Sequence, residues 1–362
     1  NNGEKREGAM NFLFTMPERR VLFGRGVFSR LKEEIERLGC SFPLAVTTPS
    51  KRSKEKIESV LAPLSYAVFD GARMHVPEES VEEALAFAEG RPFDCLVAVG
   101  GGSPIGLAKA LALRTGLPII AVPTTYAGSE MTPIWGRTEG GVKTTGRDDK
   151  ALPKVVLYDA ELYASLPASI AGVSAMNALA HCVEALYAEN ANPVSDLFAE
   201  EGIRLITGNL TASLDGPNRE EATEGVLRGA WMGGMVLAMT TMGLHHKLCH
   251  TLGGSFGLPH AETHAIVLPH VLAFNGEYAG AAMRKIARGF GTSSPKDAAG
   301  RAYDMLSGIG AKNALKDLGM RVEDLEKAAD LATRNKYSNP RPFMAAELLP
   351  LLENAFWGRR PE

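Results

Sequence analysis

DCLVAVGGGSPIGLAKALALRTG, residues 94–116, decides the fold of this 362-residue chain. An apolar run of strand-forming residues passes through Gly100, Gly101 and Gly102 into a segment with helical spacing. In a parallel sheet such a turn presents backbone N–H groups and the positive helix end to a phosphate. Glycine is needed because a Cβ atom would hold a pyrophosphate away from the backbone. The turn differs from GxGxxG and alone also fits a tight turn, but its context favours a dinucleotide site that includes Ser103.

Alternating strand and helix patterns extend outward on both sides of this turn. The predicted strands are PLAVTT (43–48), SYAVFDG (65–71) and LPIIAVPTT (117–125), and the predicted helices are SKEKIESVLAPL (53–64) and VPEESVEEALAFAEG (76–90). Strands that alternate with helices of 10 to 15 residues indicate parallel pairing. We therefore expect an α/β nucleotide-binding domain with a doubly wound parallel sheet over residues 10–160.

The pattern changes after about residue 160, where nearly every segment favours helix and few strand-like runs occur. We expect an all-α catalytic and substrate domain over residues 161–362, with the active site in the cleft between the domains. Residues 1–9 are polar and patternless, and we interpret them as an appended or disordered tail outside the fold.

Composition excludes several classes of function. The chain is 45% hydrophobic with a formal net charge of −3, which is typical of a soluble globular protein and offers no general electrostatic attraction to nucleic acid. No apolar run approaches the roughly 20 residues that span a bilayer, and no secretory leader is recognisable. Four scattered cysteines without a CxxC pair indicate buried, reduced thiols, and we expect a cytoplasmic protein.

Two further polar stretches follow predicted strands. Thr124, Thr125 and Ser129 come after the strand at 117–125, at the carboxyl end where open α/β sheets bind ligands. Thr48 and Pro49 end the strand at 43–48, where an acidic residue commonly binds the ribose and repels a 2′-phosphate. Since no acidic residue stands there, we expect NADH or NADPH to be accepted. A solvated loop is the alternative for the stretch at 124–129.

Six of the eight histidines fall between His245 and His270. His246 and His250 are one helical turn apart, and Asn177 and His181 have the same spacing in an earlier helix. His260 follows a glycine and proline break, so we expect it to begin the next helix. The pattern predicts one pocket whose imidazoles bind a metal or an anion. His75 and His270 are interpreted as ordinary core residues.

Four separated motifs carry a resemblance to a known family: GGGSPIGLAKA, PTTYAGSEMTPIW, NALAHCVEA and HHKLCHTLGGSFGLPHA. They resemble the group III, iron-containing alcohol dehydrogenase superfamily, in the same order, from about Arg20 to Arg341. The resemblance implies a dehydroquinate synthase-like fold and a homodimer. Within the superfamily the sequence looks closest to the maleylacetate reductases. These reduce the carbon–carbon double bond of the dianion maleylacetate to give 3-oxoadipate during the breakdown of aromatic compounds.

The resemblance also bears on metal binding. Metal-dependent members use one aspartate and three histidines, and Asn177 stands at the aspartate position while His181, His246 and His260 keep the histidines. Asparagine offers only a neutral carbonyl oxygen to a divalent cation, which weakens binding. We therefore expect a vestigial metal site and no bound metal.

The resemblance and the chemistry of an enone dianion suggest roles for the other residues. Imidazoles that carry positive charge would attract the dianion and stabilise the enolate. We expect His246 and His250 to be catalytic, in an order left open, and Tyr337 to be a lesser candidate for proton donor. The expected substrate-binding residues are Asn177, His181, His245, Lys247, His260 and Arg341. Lys143 is expected near the nicotinamide or its phosphates; surface positions are the alternatives for Lys143, Lys247, Tyr337 and Arg341.

Three competing functions remain open on the sequence. A metal-dependent alcohol dehydrogenase is the first alternative. A lyase that resembles dehydroquinate synthase and uses NAD transiently is the second. A nucleotide-binding protein without catalysis is the third, and it leaves the histidines without a purpose.

Overall fold

The structure is a computed structural model that describes residues 12, 14–140, 142–334 and 337–362, without the side chains of residues 51, 52, 142 and 143. The predicted tail at residues 1–9 lies outside the described residues. The strands are β1 (Arg20–Gly24), β2 (Pro43–Val46), β3 (Ala67–Phe69), β4 (Cys95–Gly100), β5 (Ile119–Pro123), β6 (Ile134–Glu139), β7 (Val142–Arg147) and β8 (Val155–Asp159).

Thirteen α-helices lie in the described part of the chain. Those of the front half are α1 (Leu31–Arg37), α2 (Lys51–Leu61), α3 (Glu78–Ala88) and α4 (Gly102–Thr115). The others are α5 (Ala168–Leu186), α6 (Pro193–Leu214), α7 (Arg219–Met239), α8 (Leu244–Phe256), α9 (His260–Asn275), α10 (Gly280–Phe290), α11 (Asp297–Gly308), α12 (Leu325–Thr333) and α13 (Ala345–Trp357).

Six strands form one parallel sheet in the order β1-β8-β5-β4-β2-β3. Alternate side chains of the central strand β4 face opposite sides of the sheet. Val97 and Val99 pack in the core that holds α1 and α2, whereas Leu96 and Ala98 pack in the core that holds α3 and α4. The predicted doubly wound α/β fold is therefore confirmed.

The sheet has two strands that the sequence patterns do not predict. β1 pairs with β8 along five residues, although about 130 residues of chain separate them. β1 and β8 have five residues each, and their pairing shows that they belong to the parallel sheet. β6 and β7 form a separate antiparallel hairpin beyond the parallel sheet.

The back half is helical, as predicted, and is built around α5. Every residue of α5 from Ala171 to Leu186 is buried. α5 is long and apolar enough to span a membrane by composition, but 89% of its apolar 18-residue stretch is buried inside the protein, as in a core helix. All four cysteines are buried free thiols, in agreement with the expectation from their spacing.

Candidate active site

The glycine turn lies at the point where the order of strands reverses. The chain leaves β2 towards the edge strand β3, whereas it leaves β4 towards β5. β2 and β4 are hydrogen-bonded neighbours, so Thr48 and Pro49 follow β2 at the same edge of the sheet as Gly100. Ligands of open α/β sheets bind in the crevice at such a reversal. The residues predicted for the cofactor from both strands therefore meet at the expected place.

The turn has the open space that a pyrophosphate requires. A Cβ atom added at Gly101 would lie 3.0 Å from Cγ2 of Thr125, whereas one added at Gly102 would meet nothing within 4 Å. Gly102 begins α4, and the preceding residue makes no side-chain capping hydrogen bond to this helix. The first N–H groups of α4 are thus available to an anion, because no side chain caps them. The turn fits a dinucleotide phosphate.

The loop after β5 connects the glycine turn to the helical domain. The backbone N–H of Thr124 donates to the Gly100 carbonyl (3.0 Å), and that of Tyr126 donates to Ser174 Oγ on α5 (2.8 Å). Gly128 has a left-handed φ of 80°, and a Cβ atom there would lie 3.3 Å from His181 Nδ1. The predicted cofactor residues Thr124, Thr125 and Ser129 therefore lie between the glycine turn and the histidines.

The buried Lys109, which the sequence analysis did not single out, stabilises the segment that follows this loop. Lys109 on α4 has no exposed surface, and its Nζ donates to the carbonyls of Ser129 (2.7 Å), Thr132 (2.8 Å) and Ile134 (2.7 Å). Burial lowers the pKa of Lys109 to about 7. A lysine among the apolar residues of GLAKALA is the signal that could have identified it.

Replacing Gly128 by alanine is expected to reduce kcat/KM by up to about a hundredfold and stability by about 1 to 3 kcal/mol. The new methyl group would strain the left-handed backbone and press on His181 and on the Gly234 backbone, 3.2 Å away. Gly116→Ala is the matched control, because Gly116 has φ 75° but open space around it. Steady-state kinetics and thermal unfolding of both variants test this, and an equal loss of activity in both would contradict it.

The histidines of three helices gather in one cluster. His181 lies on α5, His245, His246 and His250 lie on α8, and His260 and His264 lie on α9. The ring centroids of His181 and His246 are 5.0 Å apart, those of His246 and His264 are 4.9 Å apart, and those of His260 and His264 are 4.2 Å apart. His260 begins α9, as its position after the proline indicates. His264 was not singled out from the sequence.

Glu184 organises this cluster and was also missed. It has no exposed surface, and its carboxylate accepts hydrogen bonds from the backbone N–H groups of Gly243 (3.1 Å), His245 (2.9 Å) and His246 (3.3 Å). These are the uncapped donors at the start of α8, which has no side-chain cap of its own. Glu184 Oε2 also lies 2.6 Å from His246 Nδ1. Its spacing of three residues from His181 in AHCVEA was the available signal.

The Glu184 contact determines which nitrogen of His246 faces the cluster. With Nδ1–H donating to the carboxylate, Nε2 carries the lone pair, and it has no partner among the described residues. Burial raises the pKa of Glu184 above its usual value, and the nearby His245 ring and the three backbone N–H groups oppose that rise. Both carboxylate oxygens accept hydrogen bonds, so the ionised form satisfies this geometry.

The cluster has a buried part and an exposed part. Burial, followed by repulsion from neighbouring imidazoles, lowers the pKa of His181, His246 and His264 well below the usual value, and burial also lowers that of His245. Burial therefore favours the neutral form of these rings, and the expectation that imidazoles of the cluster carry positive charge stays a prediction. His250 and His260 are exposed, and their rings stack 6.3 Å apart.

The remaining predicted residues divide into those near the cluster and those outside it. Asn177 on α5 is buried, and its Oδ1 has no partner in the described part of the chain. The Tyr337 hydroxyl also lacks a described partner, and burial, followed by the charge of Glu184, raises the pKa of Tyr337. Lys247 is half-buried on α8 beside His246. Lys143 lies in β7, and its side chain is outside the described residues.

Arg341 does not join the histidines. Its guanidinium carbon lies 4.1 Å from the ring centroid of Phe274, near the end of α9. Phe274 is 14 residues beyond His260 on this helix, a rise of roughly 21 Å. The prediction of Arg341 as an anchor for substrate at the cluster is therefore not supported, because the loop at 337–343 directs its side chain to the opposite end of α9.

Comparison with known proteins identifies the family. A model of the iron-containing alcohol dehydrogenase family matches residues 17–160, and a model of the C-terminal part of Fe-containing alcohol dehydrogenases matches residues 171–356. The chain belongs to the iron-containing alcohol dehydrogenase family. It is 48% identical to the maleylacetate reductase of Burkholderia cepacia, over 97% of this chain and 99% of that protein. It is 47% identical to that of Pseudomonas knackmussii over the same shares.

Solved structures of this iron-containing alcohol dehydrogenase family have the same fold. The maleylacetate reductase of Agrobacterium tumefaciens is 43% identical, with a TM-score of 0.92 over 98% of this chain and 100% of that one. An iron-containing alcohol dehydrogenase of Corynebacterium glutamicum is 41% identical, with a TM-score of 0.91 over 97% and 98%. The resemblance drawn from the four motifs is therefore confirmed.

The expectation of no metal is wrong, because family membership implies a bound iron ion. The donor set fits a cation: Asn177 Oδ1, His181 Nδ1 and His246 Nε2 are buried without partners among the described residues. The expectation considered the charge of the four ligand positions alone and left out nearby carboxylates. Glu184 supplies a buried negative charge one hydrogen bond away, as carboxylates beside metal-bound histidines commonly do.

Proposed function

We propose that this iron-containing alcohol dehydrogenase family member reduces the carbon–carbon double bond of maleylacetate to 3-oxoadipate, with NADH or NADPH as the electron donor. The observation that carries the proposal is similarity along the whole chain. Maleylacetate reductases from several bacteria are 43 to 48% identical over 94 to 98% of this chain. A solved 1,3-propanediol oxidoreductase is 29% identical, whereas two solved structures named only as alcohol dehydrogenases, without a stated substrate, are 41% and 49% identical.

The front half of the chain would bind the dinucleotide. Gly101, Gly102 and the first N–H groups of α4 would hold the pyrophosphate, and Thr124, Thr125 and Ser129 would hydrogen-bond phosphate or ribose oxygens. A bound nicotinamide supplies the hydride. Because Gly128 lies beside His181, the loop after β5 would direct the reacting end of the cofactor towards the histidine cluster.

The histidine cluster would bind and protonate the substrate. Asn177, His181, His246 and His260 would hold the family's metal, which supplies a Lewis acid for an oxygen of the substrate. Addition of a hydride to the alkene carbon distant from the ketone leaves an enolate, and a proton must then reach carbon. His250 is the better placed of the two catalytic candidates, because its ring is exposed whereas Nδ1 of His246 already donates to Glu184.

His250→Asn is expected to lower kcat by about a hundredfold or more, since loss of a general acid typically costs that much. The KM for the dinucleotide should change less than kcat, because the proposed pyrophosphate contacts are made by the glycine turn at the start of α4 and not by α8. Stopped-flow or steady-state measurement of NADH oxidation gives both constants. Tyr337→Phe is the companion variant: a loss of kcat there, with His250→Asn near the wild-type rate, would transfer the role to Tyr337.

The test of the activity itself is NADH oxidation at 340 nm with maleylacetate and product analysis for 3-oxoadipate. One NADH consumed per 3-oxoadipate formed would support the reductase, and consumption in proportion to product excludes a lyase that uses NAD transiently. Treatment with a strong chelator, followed by readdition of metal, reports whether the reaction depends on a cation. Inertness towards maleylacetate with turnover of simple alcohols or aldehydes would replace the proposal by an alcohol dehydrogenase.

Further features of the enzyme belong to this proposal. We expect NADH and NADPH both to be used, because no acidic residue follows β2 at Thr48 and Pro49; strong kinetic rejection of NADPH would contradict this. We place the domain boundary between residues 160 and 161 and expect a cytoplasmic homodimer with no nucleic-acid or membrane partner. Light scattering of the purified protein tests the dimer.

A further inference from the structure

His264 is the most isolated polar side chain in the cluster. It has no exposed surface, and neither of its ring nitrogens has a hydrogen-bond partner among the described residues. Burial of an imidazole without a hydrogen-bond partner is energetically unfavourable, because the ring loses its hydrogen bonds to water and gains none within the protein. His246 Nε2 is in the same condition, because Nδ1 of that ring is taken by Glu184. Two adjacent buried imidazoles thus each have a nitrogen with no described partner.

The rings of His245, His246 and His264 are close enough together to be candidates for binding a small cation. One candidate ligand atom from each of His245, His246 and His264 lies within 4.8 Å of the others. Two nitrogens bound at about 2.1 Å to one tetrahedral ion are about 3.4 Å apart, so a shift of up to about 1.4 Å brings them into range. His245 already uses Nε2 with the His264 carbonyl (2.9 Å), which leaves His246 and His264 as the stronger pair.

The neutral side chain of Asn177 leaves the metal site in need of another strong ligand, which His264 could supply. Asn177 offers a neutral amide oxygen where metal-dependent relatives place a carboxylate, so the ion loses a strong ligand at that position. His264 lies on α9 one turn after His260, and the two ring centroids are 4.2 Å apart. An imidazole nitrogen from His264 would restore the fourth strong donor beside His181, His246 and His260.

We propose that His264 is a metal ligand in this chain, which makes the site an imidazole site with Glu184 as its nearest buried carboxylate. Such a site favours borderline cations such as Zn²⁺, Co²⁺ and Fe²⁺ over the hard cations Mg²⁺ and Mn²⁺, which prefer oxygen ligands. The inference deepens the proposed function, since it concerns the metal site of the proposed reductase, but binding of the ion can be measured without turnover.

The test uses full-length protein that is stripped with a chelator and titrated with Co²⁺. Bound cobalt is counted per chain by elemental analysis, and visible absorption reports its ligands. We expect one Co²⁺ per wild-type chain and at least about tenfold weaker binding with an altered spectrum in His264→Asn. His270→Asn is the matched control, because His270 is another buried histidine of α9 outside the cluster. It should bind Co²⁺ like the wild type.

The same change is also made in the Asn177→Asp variant, so that a loss of cobalt binding caused by misfolding can be distinguished from the loss of a ligand. Asn177→Asp restores a carboxylate ligand, so in that background the His264→Asn change should cost much less cobalt affinity. Equal losses in the two backgrounds would overturn the proposal, as would wild-type affinity in His264→Asn or the absence of Co²⁺ binding by folded wild-type protein. Failure of maleylacetate reduction with intact Co²⁺ binding would instead overturn only the proposed function.

Discussion

Replacing Gly102 with aspartate is expected to weaken NADH binding by at least about a hundredfold while leaving the fold intact. The new carboxylate would stand at the start of α4, where the proposed pyrophosphate binds. Two like charges about 4 Å apart at the protein surface repel by about 4 kcal/mol, which is more than a hundredfold in affinity. A Cβ atom at Gly102 meets nothing within 4 Å, so no packing is lost.

The stability of this variant should remain equal to that of the wild type or rise slightly, because an acidic residue in the first turn of a helix interacts favourably with the helix dipole. Fluorescence titration with NADH and thermal unfolding give the two quantities separately. Gly102→Ala is the control for the added carbon atom and should bind NADH with a much smaller loss. Unchanged NADH affinity in Gly102→Asp would show that the dinucleotide phosphates bind elsewhere.

Glu184→Gln is expected to have the second large effect, with kcat lowered by about ten- to a hundredfold and stability lowered by about 3 kcal/mol. The amide group of glutamine turns one acceptor into a donor. That donor would face a backbone N–H at the start of α8 or the Nδ1–H of His246, so a buried group loses its partner. The His246 ring would then be free to change its tautomer and orientation.

Glu34→Gln is the control for loss of a buried carboxylate. Glu34 has no exposed surface and pairs with Arg20 at 2.8 Å in the front domain. That variant should lose stability but keep its kcat, because Glu34 lies outside the cluster. Chemical unfolding and kcat of the two variants, measured together, test the role of Glu184. If Glu184→Gln lost stability but kept its kcat, Glu184 would act only as a cap for the start of α8 and would have no role in catalysis.

Several local features of the fold could be predicted because their causes lie close together in sequence. The strand before Gly100 and the helix after it are adjacent, and so are the histidines one turn apart on α8. Features that depend on distant partners could not be predicted. The place of β1 in the sheet is shown by its pairing with β8, and the role of Lys109 is shown by the carbonyls to which it donates.

The expectation that no metal is bound was wrong because it, too, depended on a partner that the sequence did not reveal. Asn177 could be identified in the sequence, and its neutral amide argued against a cation. Glu184 stands seven residues later and looks like any helical glutamate until α8 places three N–H groups and His246 around it. Arg341 was expected to bind substrate because its side chain has suitable chemistry. The structure instead places it on Phe274, near the end of α9.

By itself, the sequence determined the α/β and helical halves, the glycine turn and the family, because periodicity and short motifs are properties of neighbouring residues. Only the tertiary structure decided which histidines are buried, which nitrogen of His246 faces the cluster, and that His264 belongs to it. Those properties depend on the removal of water and on hydrogen-bond partners contributed by helices far apart in the chain, and both exist only after α5, α8 and α9 have packed together.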